Sequence, residues 1–411
     1  MPAYDIVVRR ARLRGKSEAL QDIAIAGGRI AAIGERVDGT AAAEVDARGG
    51  LATESFVNPH LHLCKVYTLF MTDDEAARAY HAADMRQARS AIELAARVKA
   101  SYDERWIIGN VRRALALAAL YGTTHVRAFA DVDGKARLEG VKALIRAREE
   151  FRGIVDIQVV AFAQEGLVRE PGAADLMRQA MSLGADVVGG IPWIEYTEAS
   201  MGEHIGFCFD LARELDRDVS MLVDDAGDAG LRTLEAMAVE VVKRGWQGRA
   251  LAHHARAMSL YSNSDVEKVA ALMRQARMSL VTDPHTGPLH ARVKELLADG
   301  VNVCLGQDDI SDSFYPFGRN NLLEVAFLAA HLLWMTTRPE METLYDMVTT
   351  RAAQAINIQQ HLLKAGAPAN LVVLEAPNVL EALREHAAPI AVVSHGKLID
   401  QARMRHEAAA V

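Results

Sequence analysis

From Asp5 onward the chain runs in short alternating segments. DIVVRRARL, DIAIAGGRIAAIG and AEVDARGGLAT interleave apolar and polar positions around glycine pairs, the period-two pattern of half-buried strands joined by tight turns. NLVVLEA and IAVVSHGKLID repeat that texture near the other end. Strand-rich ends around a helical middle predict a small β-sandwich assembled from both termini, residues 1–55 and 360–411.

The middle, residues 56–359, alternates short apolar runs with helix-length amphipathic stretches. The strand candidates are SFVNPHL, HVRAFA, DIQVVAF, DVVGGIP, DVSMLVDD, RALAHHA, MSLVTDP and VNVCLGQDD, while EGVKALIRAREEF and RTLEAMAVEVVKRG carry the helical period. Strands this apolar, separated by helices, predict a parallel sheet, and eight such units predict a (β/α)8 TIM barrel. An open doubly wound sheet has the same local pattern. The polar residues cluster at strand ends: His60 and His62, Asp224 and Asp225, His253 and His254, Asp308 and Asp309. In a barrel those C-terminal ends open onto one face, where catalytic groups collect.

Composition narrows the field. The 411 residues are 50% hydrophobic and 24% charged, with a net charge of −8, so no basic field exists to hold nucleic acid. Cys64, Cys208 and Cys304 are too few and too scattered for a disulfide framework. The N-terminus lacks the apolar run of a signal peptide. The longest apolar helix candidate, Val325 to Met335, is interrupted by His331 and falls short of a membrane span. A cytoplasmic protein without a membrane partner is expected.

His60-Leu61-His62 is the sharpest local signal, because residues i and i+2 on a strand point the same way and can share a metal. FVNPHLHL resembles the first-strand motif of the amidohydrolase superfamily. Asp156 to Gly166, GADVVGGIP, GVNVCLGQDDISDSFYPFG and APANLVVLEAP resemble the branch holding cytosine deaminases and N-isopropylammelide amidohydrolases. The likeness runs from Tyr4 to about Asp400 in the family's order. It implies a barrel with a two-termini sandwich, a homo-oligomer, and one divalent metal held by the HxH pair, a strand-five His and a strand-eight Asp.

Carried over, the resemblance makes His60, His62 and Asp308 metal ligands, Asp308 also the proton acceptor, and His254 the group facing the water. His253, one residue away, should face the opposite side of the strand. The strand-five ligand is missing: Leu222 stands in its place, and Asp225 holds the position of the acidic proton shuttle. His254 is the first substitute ligand and Asp224 a weaker one. Cys64 (followed by Lys65), Phe129 and Gln307 replace other residues usual near the mouth. Strand four has no Lys between Val187 and Pro192, which disfavours a binuclear centre.

Two His and a carboxylate with open positions suit zinc or iron. The expected reaction is hydrolysis of a C–N bond in a small heterocyclic or amide-like substrate. Asp308 serves as base, Asp225 as proton donor to the leaving amine and His254 as stabiliser of the developing charge. Gln164, Asp309, Phe314 and Trp193 are the expected substrate contacts. Two readings compete: a metal-independent hydrolase, and a non-catalytic ligand-binding relative. His285 could contact substrate or stand in as a ligand, and His125 is expected to be structural. His81, His204, His361, His386, His395 and His406 are expected in helices or surface turns, without partners in sequence.

Overall fold

The structure is a computed structural model that describes residues 2–15, 19–72, 74–80, 85 and 87–409. His81 lies outside the described residues. Strands β1 (Tyr4–Leu13), β2 (Gln21–Ala26), β3 (Arg29–Gly34), β4 (Ala41–Asp46) and β5 (Leu51–Glu54) come first. The eight barrel strands follow: β6 (Phe56–Leu61), β7 (Thr123–Asp131), β8 (Asp156–Phe162), β9 (Val187–Gly190), β10 (Asp218–Val223), β11 (Ala250–His254), β12 (Ser279–Thr282) and β13 (Val303–Leu305). Each falls on an apolar run read from the sequence. β14 (Leu371–Val373), β15 (Ala391–Ser394) and β16 (Lys397–Leu398) close the list. β14 pairs antiparallel with β5, so both ends of the chain share one mixed sheet.

β6 through β13 pair in parallel, each with the next in sequence. The ring shuts between its last and first strands. Asp308 N donates to His60 O at 3.0 Å and His62 N donates to Asp308 O at 2.8 Å. A Cβ on Gly306 would stand 2.8 Å from His60 Cβ, so glycine is what lets the eighth strand approach the first here. Barrel closure therefore fixes two candidate ligands and Asp308 in one backbone hydrogen-bond pattern.

The helices carry local start and stop signals. Asp103 caps Glu104–Leu120 by accepting from Arg105 N, and Gly245, at φ 68°, ends Thr233–Arg244 in the left-handed conformation. Among the described residues no helix is long and apolar enough to cross a membrane.

Candidate active site

Three of the strand ends at the mouth leave the β region. Asp224, His254 and Asp308 have φ of 47°, 68° and 64°, a conformation costly for residues with a Cβ and concentrated at functional sites. The turn at His254 breaks the side-to-side alternation of β11. The rings of both His253 and His254 therefore reach His60, at centroid distances of 4.5 and 4.9 Å. His253 lies beneath the mouth, with Nε2 2.9 Å from Ser220 Oγ.

His60, His62, His254 and Asp308 are all buried, and each offers a ligand atom within 4.8 Å of the others. Asp308 Oδ1 is 3.0 Å from His60 Nε2 and 3.7 Å from His62 Nε2. Donors on one zinc at about 2.1 Å stand roughly 3.4 Å apart, so the set fits a metal ion. Burial lowers the pKa of all three imidazoles, which favours the neutral, ligating form. Leu222 lines the same pocket and offers no donor. Asp224 is committed elsewhere: it accepts from Thr233 Oγ1 at 2.6 Å, from Tyr261 Oη at 2.9 Å and from backbone N–H groups of the Thr233 helix. Cys64 turns away and accepts from Asp131 N. His285 contacts the Gln307 carbonyl and Tyr315.

Arg256 was not singled out from the sequence, yet its guanidinium is buried in the centre of the acidic groups. Nε donates to Asp225 Oδ1 at 2.6 Å and Nη2 to Thr286 Oγ1 at 2.8 Å. Nη2 also reaches Asp283 Oδ2 at 3.3 Å and Asp308 Oδ2 at 3.5 Å. A Cβ on Gly287 would collide with Nη1. Asp283 was missed as well. Its Oδ2 stands 2.8 Å from His254 Nδ1, which also accepts from Arg256 Nη2 at 3.4 Å, and His254 Nε2 faces Asp225 at 3.9 Å. Burial and the neighbouring Asp308 push the Asp283 carboxyl well up. Burial also opposes ionisation of Asp308, but His254, His60 and a hydrogen bond with Asp283 hold it well below the usual range. Asp225 is raised by burial.

The pocket is walled by His62, Lys65, Gln164, Asp309, Phe314 and Ile92, among others, and its volume is about 20 Å³, room for roughly one water. Lys65 Nζ donates to Gln164 Oε1 at 2.8 Å and lies 4.7 Å from the Phe314 ring centroid. Burial opposes its charge, but Asp131, Asp309 and Asp312 outweigh that and raise its pKa. Burial, with Asp308 and Asp312 close by, pushes Asp309 well up. Trp193 does not line this pocket. It is buried beside it and borders an adjoining cavity with Arg89, Ala226 and Asp228.

Residues 43–400 match the amidohydrolase family. The chain belongs to that family. N-isopropylammelide isopropyl amidohydrolase of Pseudomonas sp. (strain ADP) is 29% identical over 397 residues, covering 96% of this chain and 97% of the relative. The structure of 5-methylcytosine deaminase from Klebsiella pneumoniae superposes with TM-score 0.86 at 31% identity, covering 96% of this chain and 97% of that one. N-isopropylammelide isopropylaminohydrolase from Burkholderia multivorans gives TM-score 0.83 at 26% identity, covering 96% and 97%. This amidohydrolase is thus similar along nearly its whole length to hydrolases acting on C–N bonds of heterocycles, and the predicted barrel and two-termini sheet are both present.

Proposed function

We propose that this amidohydrolase hydrolyses a C–N bond of a small, flat nitrogen heterocycle, by ring deamination or by release of an N-alkylamine. The observation that carries this reading is one pocket that joins His62, His254 and Asp308 of the His60, His62, His254, Asp308 cluster to Lys65, Gln164, Asp309 and Phe314. The relatives named for ammelide and cytosine substrates support the substrate class. His60, His62 and Asp308 would hold one divalent ion, zinc or iron, and the ion would supply Lewis acidity. Asp308 takes the proton of the attacking water. His254, oriented by Asp283, steadies the charge that develops. Asp225, whose pKa burial raises, delivers a proton to the leaving nitrogen. Lys65 and Gln164 meet a ring carbonyl, Asp309 a ring nitrogen, and Phe314 the ring face; Trp193 supports that wall from behind. A ring-sized ligand needs more than the present volume, so Ile92 and its helix, Ala88–Ala95, move aside on binding. The proposal includes a cytoplasmic homo-oligomer with a small-molecule partner.

Arg256 favours a second reading, in which the reaction runs without metal. Its guanidinium already pairs with both Asp225 and Asp308. One experiment separates the two: a panel of pyrimidines, triazines and pterins assayed for ammonia or amine release, beside metal analysis of the purified protein. Turnover that chelators abolish supports the metal reading, and turnover by metal-free protein the second. No release from any member of the panel would sink both.

A further inference from the structure

On the opposite face of the barrel, two more imidazoles converge on one carboxylate. His125 lies near the start of β7, Asp156 opens β8, and His395 sits at φ 52° in the turn between β15 and β16. Asp156 Oδ2 is 3.6 Å from His125 Nε2 and 3.0 Å from His395 Nε2. One ligand atom from each residue lies within 4.8 Å of the others. His395 has no partner nearby in sequence; its partner is 239 residues away.

The orientation of both rings is set from behind. His125 Nδ1 stands 2.8 Å from Thr124 Oγ1, which is 2.6 Å from Ser55 Oγ, and His395 Nδ1 stands 3.0 Å from Ser394 Oγ. With each Nδ1 occupied by a hydroxyl, each Nε2 is aimed at the same carboxylate oxygen. This is the outer-shell arrangement that fixes ligating histidines. A proton can bridge one of the two Nε2–Oδ2 gaps, whereas a divalent cation satisfies all three donors. His361 packs edge-on to His125 at 5.5 Å and donates from Nε2 to Ser55 O, so it walls the group. The side chain of His125 is 9% exposed, but those of His395 and Asp156 are 39% and 45% exposed, which leaves an entry from solvent.

We propose that His125, Asp156 and His395 form a second metal site, separate from the mouth, that takes a zinc-class divalent ion and staples the sandwich to the barrel floor. Two imidazoles and a carboxylate, with a fourth position open to water, are a donor set zinc accepts. Because the ligands come from barrel and sandwich, the ion binds the folded chain and not the unfolded one, and so stabilises it.

The test titrates metal-stripped protein with zinc against a chromogenic chelator, for the native chain, His395→Gln and Asp156→Asn. Both variants should bind one ion fewer than the native chain, and zinc should raise their Tm less. Native crystals grown with zinc should show an anomalous peak among the three side chains, a readout that does not depend on how the variants fold. Equal stoichiometry in all three proteins overturns the proposal. So does the absence of that peak at saturating zinc.

Discussion

Arg256 Nε donates to Asp225 Oδ1 at 2.6 Å, and the same guanidinium lies 3.5 Å from Asp308 Oδ2. A fixed cation therefore lies close to the donor cluster, and it and a bound ion would repel across a few ångströms of buried space. Arg256→Met should raise zinc affinity by at least about tenfold. It should also destabilise the metal-free protein by about 3–5 kcal/mol, because it strands buried carboxylates. Chelator competition and urea unfolding measure the two effects, and weaker zinc binding would mean that the guanidinium supports the ion.

Leu222 faces the pocket beside the imidazole cluster, in register with His253. Leu222→His adds a donor of similar size there, and zinc affinity should rise about 10–100-fold. Affinity equal to that of the native chain would show that position 222 does not address the ion.

Asp283 Oδ2 stands 2.8 Å from His254 Nδ1. Asp283→Asn keeps the shape but weakens that contact, so kcat should fall about 10–100-fold with KM little changed. A change confined to KM would place Asp283 in substrate binding instead.

Lys65 and Gln164 make one hydrogen-bonded unit in the wall of the pocket. Lys65→Met should raise KM about tenfold or more, since a buried ring contact to a charged donor is worth about 1.5–3 kcal/mol. Unchanged KM across the substrate panel would remove Lys65 from recognition.

His204 is fully buried, with Nδ1 2.8 Å from Glu195 Oε1 and Nε2 accepting from Ile191 N. Burial lowers its pKa against the opposing pull of Glu195. The unfolded chain therefore takes up a proton that the folded one refuses as pH drops through about 6.5. Its contribution to stability is intact above that value and is lost below it, by up to about 1.4 kcal/mol per pH unit. Urea midpoints at pH 7 and 5 should differ less for His204→Gln than for the native chain. An equal difference would show that His204 titrates alike in both states.

The barrel and its mouth were legible because they depend on local period. Apolar runs of strand length between helical stretches place β6 to β13, and strand direction alone brings His60, His62, His254 and Asp308 to one face. Partnership between strand ends was not legible. Positive φ at Asp224, His254 and Asp308 cancels the alternation rule at the residues that matter, sending Asp224 to cap a helix and letting both His253 and His254 reach His60.

What the sequence by itself determined is the family, the eight-stranded frame, the HxH pair and the absence of a donor at Leu222, all of which follow from residue type and spacing along one chain. Only the tertiary structure decided that Arg256 and Asp283 stand among the buried carboxylates at the mouth, that Lys65 pairs with Gln164, that Trp193 borders a different cavity, and that His395 meets Asp156. Those contacts join segments tens to hundreds of residues apart, and side-chain reach across a closed barrel has no periodic signature in the chain.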